Sequence, residues 1–165
     1  IKRSEGPFFQ FLYKIHKYIT LIFTGKKINF GNYCCLTSSD ISLLHNDKSL
    51  WSSFSGTVKK NIKRYNEIES ERGLRYFGPS KMSIFNLIIH SFSIIAVFKY
   101  YVFIRSAILM LLLSFFINYS EYLTIVLQII LVIFNLSIFV ISLRENKNDL
   151  LKSNENVLNE EMITH

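Results

Sequence analysis

The residues best suited to chemistry lie together at Arg72-Gly73-Leu74-Arg75-Tyr76-Phe77-Gly78-Pro79-Ser80-Lys81. Fixed positive charge, flexible Gly, rigid Pro and a hydroxyl compose a loop that can hold a phosphate. Arg offers paired N–H donors to phosphate oxygens, and Ser80 with the backbone N–H groups near Gly78 can add further bonds. The same composition also serves a basic loop drawn to anionic lipid headgroups without a specific ligand, and composition alone favours that second reading. Other chemistries lack their motifs. Thr24-Gly25-Lys26-Lys27 has no upstream Gly at P-loop spacing, and no GxSxG, HExxH, GxGxxG or Asp-x-Asp occurs in the chain. Cys34 and Cys35 are adjacent, a spacing that makes a strained disulfide, so reduced thiols on a cytosol-facing segment are expected. The four histidines are scattered without metal-ligand spacing, and no metal site is assigned to them.

These residues sit in a chain of sharply uneven composition. Half of its 165 residues are hydrophobic and the mean hydropathy is +0.26, although 19% are charged. Residues 1–106 carry 16 Lys/Arg against 6 Asp/Glu, whereas residues 107–165 carry 3 against 6. From Ser106 to Leu143 the only formal charge is Glu121. A uniformly mixed globular protein and a disordered chain are both excluded by this apolar, aromatic and segregated pattern. The reading is a basic front part, a membrane-embedded part and a short acidic tail. Nucleic acid is not expected as a partner, because the basic charge comes without a recognition motif and a membrane explains it better. The chain begins Ile1-Lys2-Arg3, with no initiator Met and no signal peptide, and is expected to start within a longer protein.

Tyr122 to Leu143 is an uncharged run of 22 residues. As a helix it would reach roughly 33 Å, enough to cross the hydrocarbon core. Gln128, Asn135 and Ser142 recur every seven residues on one face, where they could bond a neighbouring helix instead of lipid. A preceding run, extended back through Tyr100 and Tyr101, reaches spanning length but includes Arg105, whose guanidinium can snorkel to the headgroups. Two spans are therefore expected, about 100–118 and 122–143, with Ser120 capping the second. One span plus an interfacial helix is the competing arrangement. Basic residues flank both outer ends, Lys99 and Arg105 before and Arg144, Lys147 and Lys152 after. Both ends should therefore be cytoplasmic. Ahead of the spans, residues 83–98 read as an amphipathic helix lying in the membrane plane or as a plain core helix.

The front part alternates helical and β-prone segments. Pro7 to Phe23 has helical period, with Phe8, Phe11, Leu12, Ile15, Ile19 and Ile22 on one side and Gly25 as a C-terminal cap. Basic and amphipathic, it suits an anionic membrane surface or a solvated face over a core. Residues 28–36 look β-prone, Thr37 to Asp40 supply caps for a short helix at Ile41–His45, residues 51–62 suggest another helix, and a strand is expected near Tyr65–Ile68.

At Arg75-Tyr76-Phe77-Gly78-Pro79-Ser80-Lys81 the chain resembles the C-terminal part of bacterial family-2 glycosyltransferases of the polyprenyl-phosphate, dolichol-phosphate mannosyltransferase-like type. That family shows an Arg-x-x-Gly-x-Ser-Lys loop, then juxtamembrane amphipathic helices, then transmembrane helices. Ile1-Lys2-Arg3-Ser4-Glu5-Gly6 resembles the family's basic segment after the central strands. Gly31-Asn32-Tyr33-Cys34-Cys35-Leu36 falls where the family has Gly-Asp-Phe-Arg-Leu-Leu, with Asn32 in place of Asp and Cys34 in place of Arg. The resemblance covers about residues 1–118. It implies an α/β fragment, the C-terminal part of a GT-A-type domain, over residues 1–82, then an interfacial helix over 83–98, two transmembrane helices over 99–143 and a polar cytoplasmic tail over 144–165. It further implies transfer of a sugar from a nucleotide sugar to a lipid-phosphate or envelope-glycan acceptor at the bacterial inner membrane. Arg75 would contact phosphates, Ser80 and Lys81 would support the loop, and Arg3 would be a weaker acceptor-phosphate contact. A divalent metal, Mg or Mn, is implied for the intact enzyme with its site outside this chain, which alone should be inactive. No catalytic residue is assigned, and homo-oligomerisation is left open. The competing function is a small two-span membrane anchor or interaction protein without catalysis.

Overall fold

A computed structural model describes residues 7–28, 34–66, 68 and 83–154. Among the described residues seven α-helices follow one another: α1 (Pro7–Thr24), α2 (Ser38–Leu44), α3 (Phe54–Asn61), α4 (Ile84–Ala96), α5 (Lys99–Ser114), α6 (Glu121–Ser142) and α7 (Lys147–Leu151). A 3-10 turn at Lys48–Trp51 precedes α3, and another at Lys152–Asn154 follows α7.

Local chemistry sets most of the ends. Pro7 opens α1, where a missing N–H costs nothing. Gly25 ends it at φ 70, the left-handed conformation that favours glycine, and its N–H donates to Leu21 O at 2.8 Å. Thr37 and Asp40 form a reciprocal capping box on α2, Ser53 caps α3 and Ser83 caps α4. Ser120 stands at the N-cap position of α6, but its side chain makes no cap bond there.

Two apolar clusters hold these elements. Leu44, Val58 and Ile62, with Leu36 and Phe54, make a small core over residues 34–66. Ile95, Ala96, Val102 and Ile138 form the larger one, joined by Ile19, Phe23, Phe92, Phe103, Phe134 and Ile141. Phe134 is its aromatic hub, 4.6 Å from the Phe23 ring and 5.6 Å edge-on from Phe92. Gly56 connects the two cores. A Cβ there would lie 3.0 Å from Val97 Cγ2 and 3.3 Å from Ile94 O, so the α3–α4 contact is close enough that a side chain would crowd it.

The α/β expectation for residues 1–82 is overturned: no strand exists among the described residues. Ile28, Cys34–Leu36 and Ile62–Asn66 run without regular structure. A strand satisfies its backbone polar groups only through a neighbour, and β-prone composition cannot supply one. The helical expectations fare differently. α1, α3 and α4 lie where periodicity and caps put them, and α2 starts at Ser38, three residues before the expected Ile41, but α1 is rotated. Thr20 and Thr24 are buried while Phe11, Tyr18 and Ile22 are exposed. Both threonines return their hydroxyl to the carbonyl four residues back, which lets a polar residue face the core.

α6 is the one described helix long and apolar enough by itself to cross a membrane, with a mean hydropathy of 2.7 over its best window. α5 has 16 residues, roughly 24 Å. It passes the same test only together with α4, to which it is bent by 91° at Val97 and Phe98. Both elbow residues are buried, and Ile95 O accepts the Phe98 N–H. Past Ser114 the chain continues through 3-10-type bonds at Phe115, Phe116 and Ile117, then turns into α6.

Candidate membrane interface

α6 buries a narrow stripe, Thr124, Leu131, Ile138 and Ser142, against α4 and α5. The rest of its surface exposes large apolar side chains, among them Ile129, Ile130, Ile133, Leu136 and Val140. α5 does likewise at Ile104, Ile108, Leu111 and Leu112. An exposed apolar surface of this kind suits lipid tails.

Of the three polar residues spaced by seven, Gln128 alone reaches across. Its Nε2 donates to Ser114 Oγ at 3.1 Å and to Met110 O at 3.4 Å. Asn135 Nδ2 donates to Leu131 O and Ser142 Oγ to Phe139 O, both within α6. Asn135 Oδ1 is buried without a partner, as is Ser106 Oγ on α5.

At the opposite end of the α5–α6 pair, Lys99 Nζ donates to Glu145 Oε2 at 2.9 Å, with only 4% of the Glu145 side chain exposed. Start of α5 and end of α6 therefore lie side by side. Tyr100 and Tyr101, both exposed, lie next to this pair in the chain. Arg105 sits about 9 Å farther along α5 and donates from Nη1 to Ile22 O at 2.8 Å. It thus serves one of the orphan carbonyls in the last turn of α1, where the helix dipole favours a cation. The guanidinium rests on Gly25, where a Cβ would meet its Nη2. α1, α5 and Arg105 enclose an open groove of about 170 Å³ lined by Ile22, Phe23, Ile108, Leu109 and Leu112.

The polar unit over residues 34–66 is organised by Asp47. Its Oδ1 accepts from Ser49 N and Ser49 Oγ, and its Oδ2 from Lys60 Nζ and Asn61 Nδ2, the latter two both at 2.9 Å. Burial alone would raise this carboxyl, but the bonds from Ser49, Asn61 and Lys60 prevail and hold it well below the usual carboxylate range. α7 (Lys147–Leu151) packs on the Lys48–Trp51 turn. Cys34 and Cys35 are exposed free thiols; partial burial, then the neighbouring Cys35, push the Cys34 thiol up.

Arg3, Arg75, Ser80 and Lys81 lie outside the described residues. The description resumes at Ser83, whose Oγ accepts Asn86 N, and the first turns of α4 expose Ile84, Phe85 and Ile88. No group of three His, Cys, Asp or Glu gathers among the described residues. Glu145 and Asp47 were not singled out by sequence. For Glu145 one signal is present, an acid two residues after the longest uncharged run and opposite Lys99 in a hairpin. No family model, no curated protein and no solved structure matches the chain.

Proposed function

We propose that this chain is the acceptor-side, membrane-anchoring portion of a membrane-bound glycosyltransferase, which passes a sugar from a nucleotide sugar to a lipid-phosphate or glycan acceptor. The anchoring half of the reading is carried by α6, a 22-residue helix long and apolar enough to cross a membrane, with most of its surface unburied. α5 crosses beside it. The Lys99–Glu145 pair supports this, since it joins the two outer ends at one level. Both ends then face the cytoplasm of the bacterial inner membrane, in keeping with the flanking Arg and Lys residues. The transfer half rests on resemblance and on order along the chain. The Arg75–Lys81 segment ends two residues before the cap of α4, whose first turns expose apolar side chains suited to a bilayer surface. There Arg75 would stabilise the charge that develops on a diphosphate leaving group, with Ser80 and Lys81 supporting the loop and Arg3 a second phosphate contact. The metal would be held outside this chain.

A non-catalytic anchor or interaction protein is the second reading. It is favoured by the exposed Ile41, Leu43 and Trp51 on the 34–66 unit, which suit a protein partner. Two experiments separate the parts. Cys34 and Cys35 are the only cysteines, so an impermeant maleimide should label inside-out vesicles and spare intact spheroplasts. The reverse pattern refutes the topology. Arg75→Ala in the intact enzyme should slow incorporation of labelled sugar into lipid at matched membrane binding. Equal rates would remove Arg75 from the mechanism and favour the anchor.

A further inference from the structure

The groove between α1 and α5 combines apolar walls with a single charge. Its walls are apolar, from Ile22, Phe23, Ile108, Leu109 and Leu112, and its one charged lining residue is Arg105. Arg105 spends one of its five N–H donors on Ile22 O, and no carboxylate pairs with it among the described residues. Neither α1 nor α5 contains an Asp or Glu. Lys26 and Lys27, both exposed, follow directly from the Gly25 backbone on which the guanidinium rests. The chain thus adds two exposed cations immediately after the residue that Arg105 touches beside the apolar trough. Lone cations near hydrocarbon are costly and draw an anion.

We propose that this groove holds one anionic phospholipid of the bilayer. Its phosphate takes the remaining Arg105 donors with the Lys26 and Lys27 ammonium groups, and an acyl chain lies along Ile22, Ile108, Leu109 and Leu112. The exposed Tyr100 and Tyr101 one turn before Arg105 put the guanidinium just below headgroup level, within reach of a phosphate. A free phosphate would satisfy the cations but leave the apolar walls uncovered, so the lipid is the better occupant. The inference rests on the reading that α5 and α6 sit in the bilayer.

The test uses the full chain, reconstituted and then extracted into neutral detergent, with phosphatidylglycerol or phosphatidylcholine of matched chains and native mass spectrometry as readout. One phosphatidylglycerol should remain bound per chain, with a preference over phosphatidylcholine of about tenfold, the scale of one charge-assisted hydrogen bond. Arg105→Gln should abolish the preference, and Ile108→Trp, which fills the groove and keeps the charge, should expel the lipid. Lys152→Gln, a cation elsewhere, should change nothing. Equal retention of both lipids, undiminished binding by Ile108→Trp, or full displacement by inorganic phosphate would each overturn the proposal. Resistance of every variant to carbonate extraction is scored first. Failure there counts against membrane insertion, whereas lost lipid selectivity with insertion intact counts against this site alone.

Discussion

Replacing Lys99 with Met, or Glu145 with Leu, should cost more than removing both. The pair is 2.9 Å apart, and only 18% of the Lys99 side chain and 4% of the Glu145 side chain remain exposed. At an effective dielectric of about 20 the attraction at that distance is about 6 kcal/mol. Lost hydration of two buried charges offsets most of it, so the intact pair is worth little against an apolar replacement. Deleting one partner leaves the other charge buried and unpaired, at a cost of about 3–5 kcal/mol. The double replacement should therefore return to within about 1 kcal/mol of the parent. SDS-driven unfolding in mixed micelles measures this, and the single Trp, Trp51, is a native reporter. It lies in the turn on which α7 packs, and the α7 cap, Asn146, directly follows Glu145 in the chain. Single variants each costing under about 1 kcal/mol, or a cycle coupling below about 0.5 kcal/mol, would refute the reasoning that this pair clamps the α5–α6 ends.

Gly56→Ala should destabilise the α3–α4 contact by about 1–3 kcal/mol, because the new Cβ meets Val97 and a backbone carbonyl; hydrogen exchange across residues 54–61 would reveal it as faster opening. Asp47 has a lowered folded-state pKa, so its stabilisation is fully present above the unfolded value of about 3.9 and is lost as pH falls below it toward the folded value. Amide protection over residues 48–61 should follow that course, and Asp47→Asn should flatten it across the same acidic window. Ile133→Arg places a charge on the exposed, central part of α6 and should cost about 2.5–3.5 kcal/mol of insertion, read as a drop in the carbonate-resistant fraction. Unchanged insertion would remove α6 from the bilayer.

Local signals in the sequence determined the helices. Pro7 and Gly25 bound α1, the Thr37–Asp40 box and Ser83 start α2 and α4, and an unbroken apolar run makes α6, because caps and periodicity act within a few residues. The β-prone residues described within 28–36 and 65–68 misled for the converse reason: a strand exists only through a partner, and local composition carries no record of one. The face of α1 was equally out of reach, since its apolar stripe fits a core or a lipid surface alike and back-bonding let Thr20 and Thr24 take the inner side. The groove and the clamp depend on separations of 83 residues from Ile22 to Arg105 and 46 from Lys99 to Glu145. Those pairings arise only when α1, α5 and α6 pack. Charge and helix were thus written locally, while the partner of each charge was decided by the tertiary structure, which alone brings distant residues within hydrogen-bond reach.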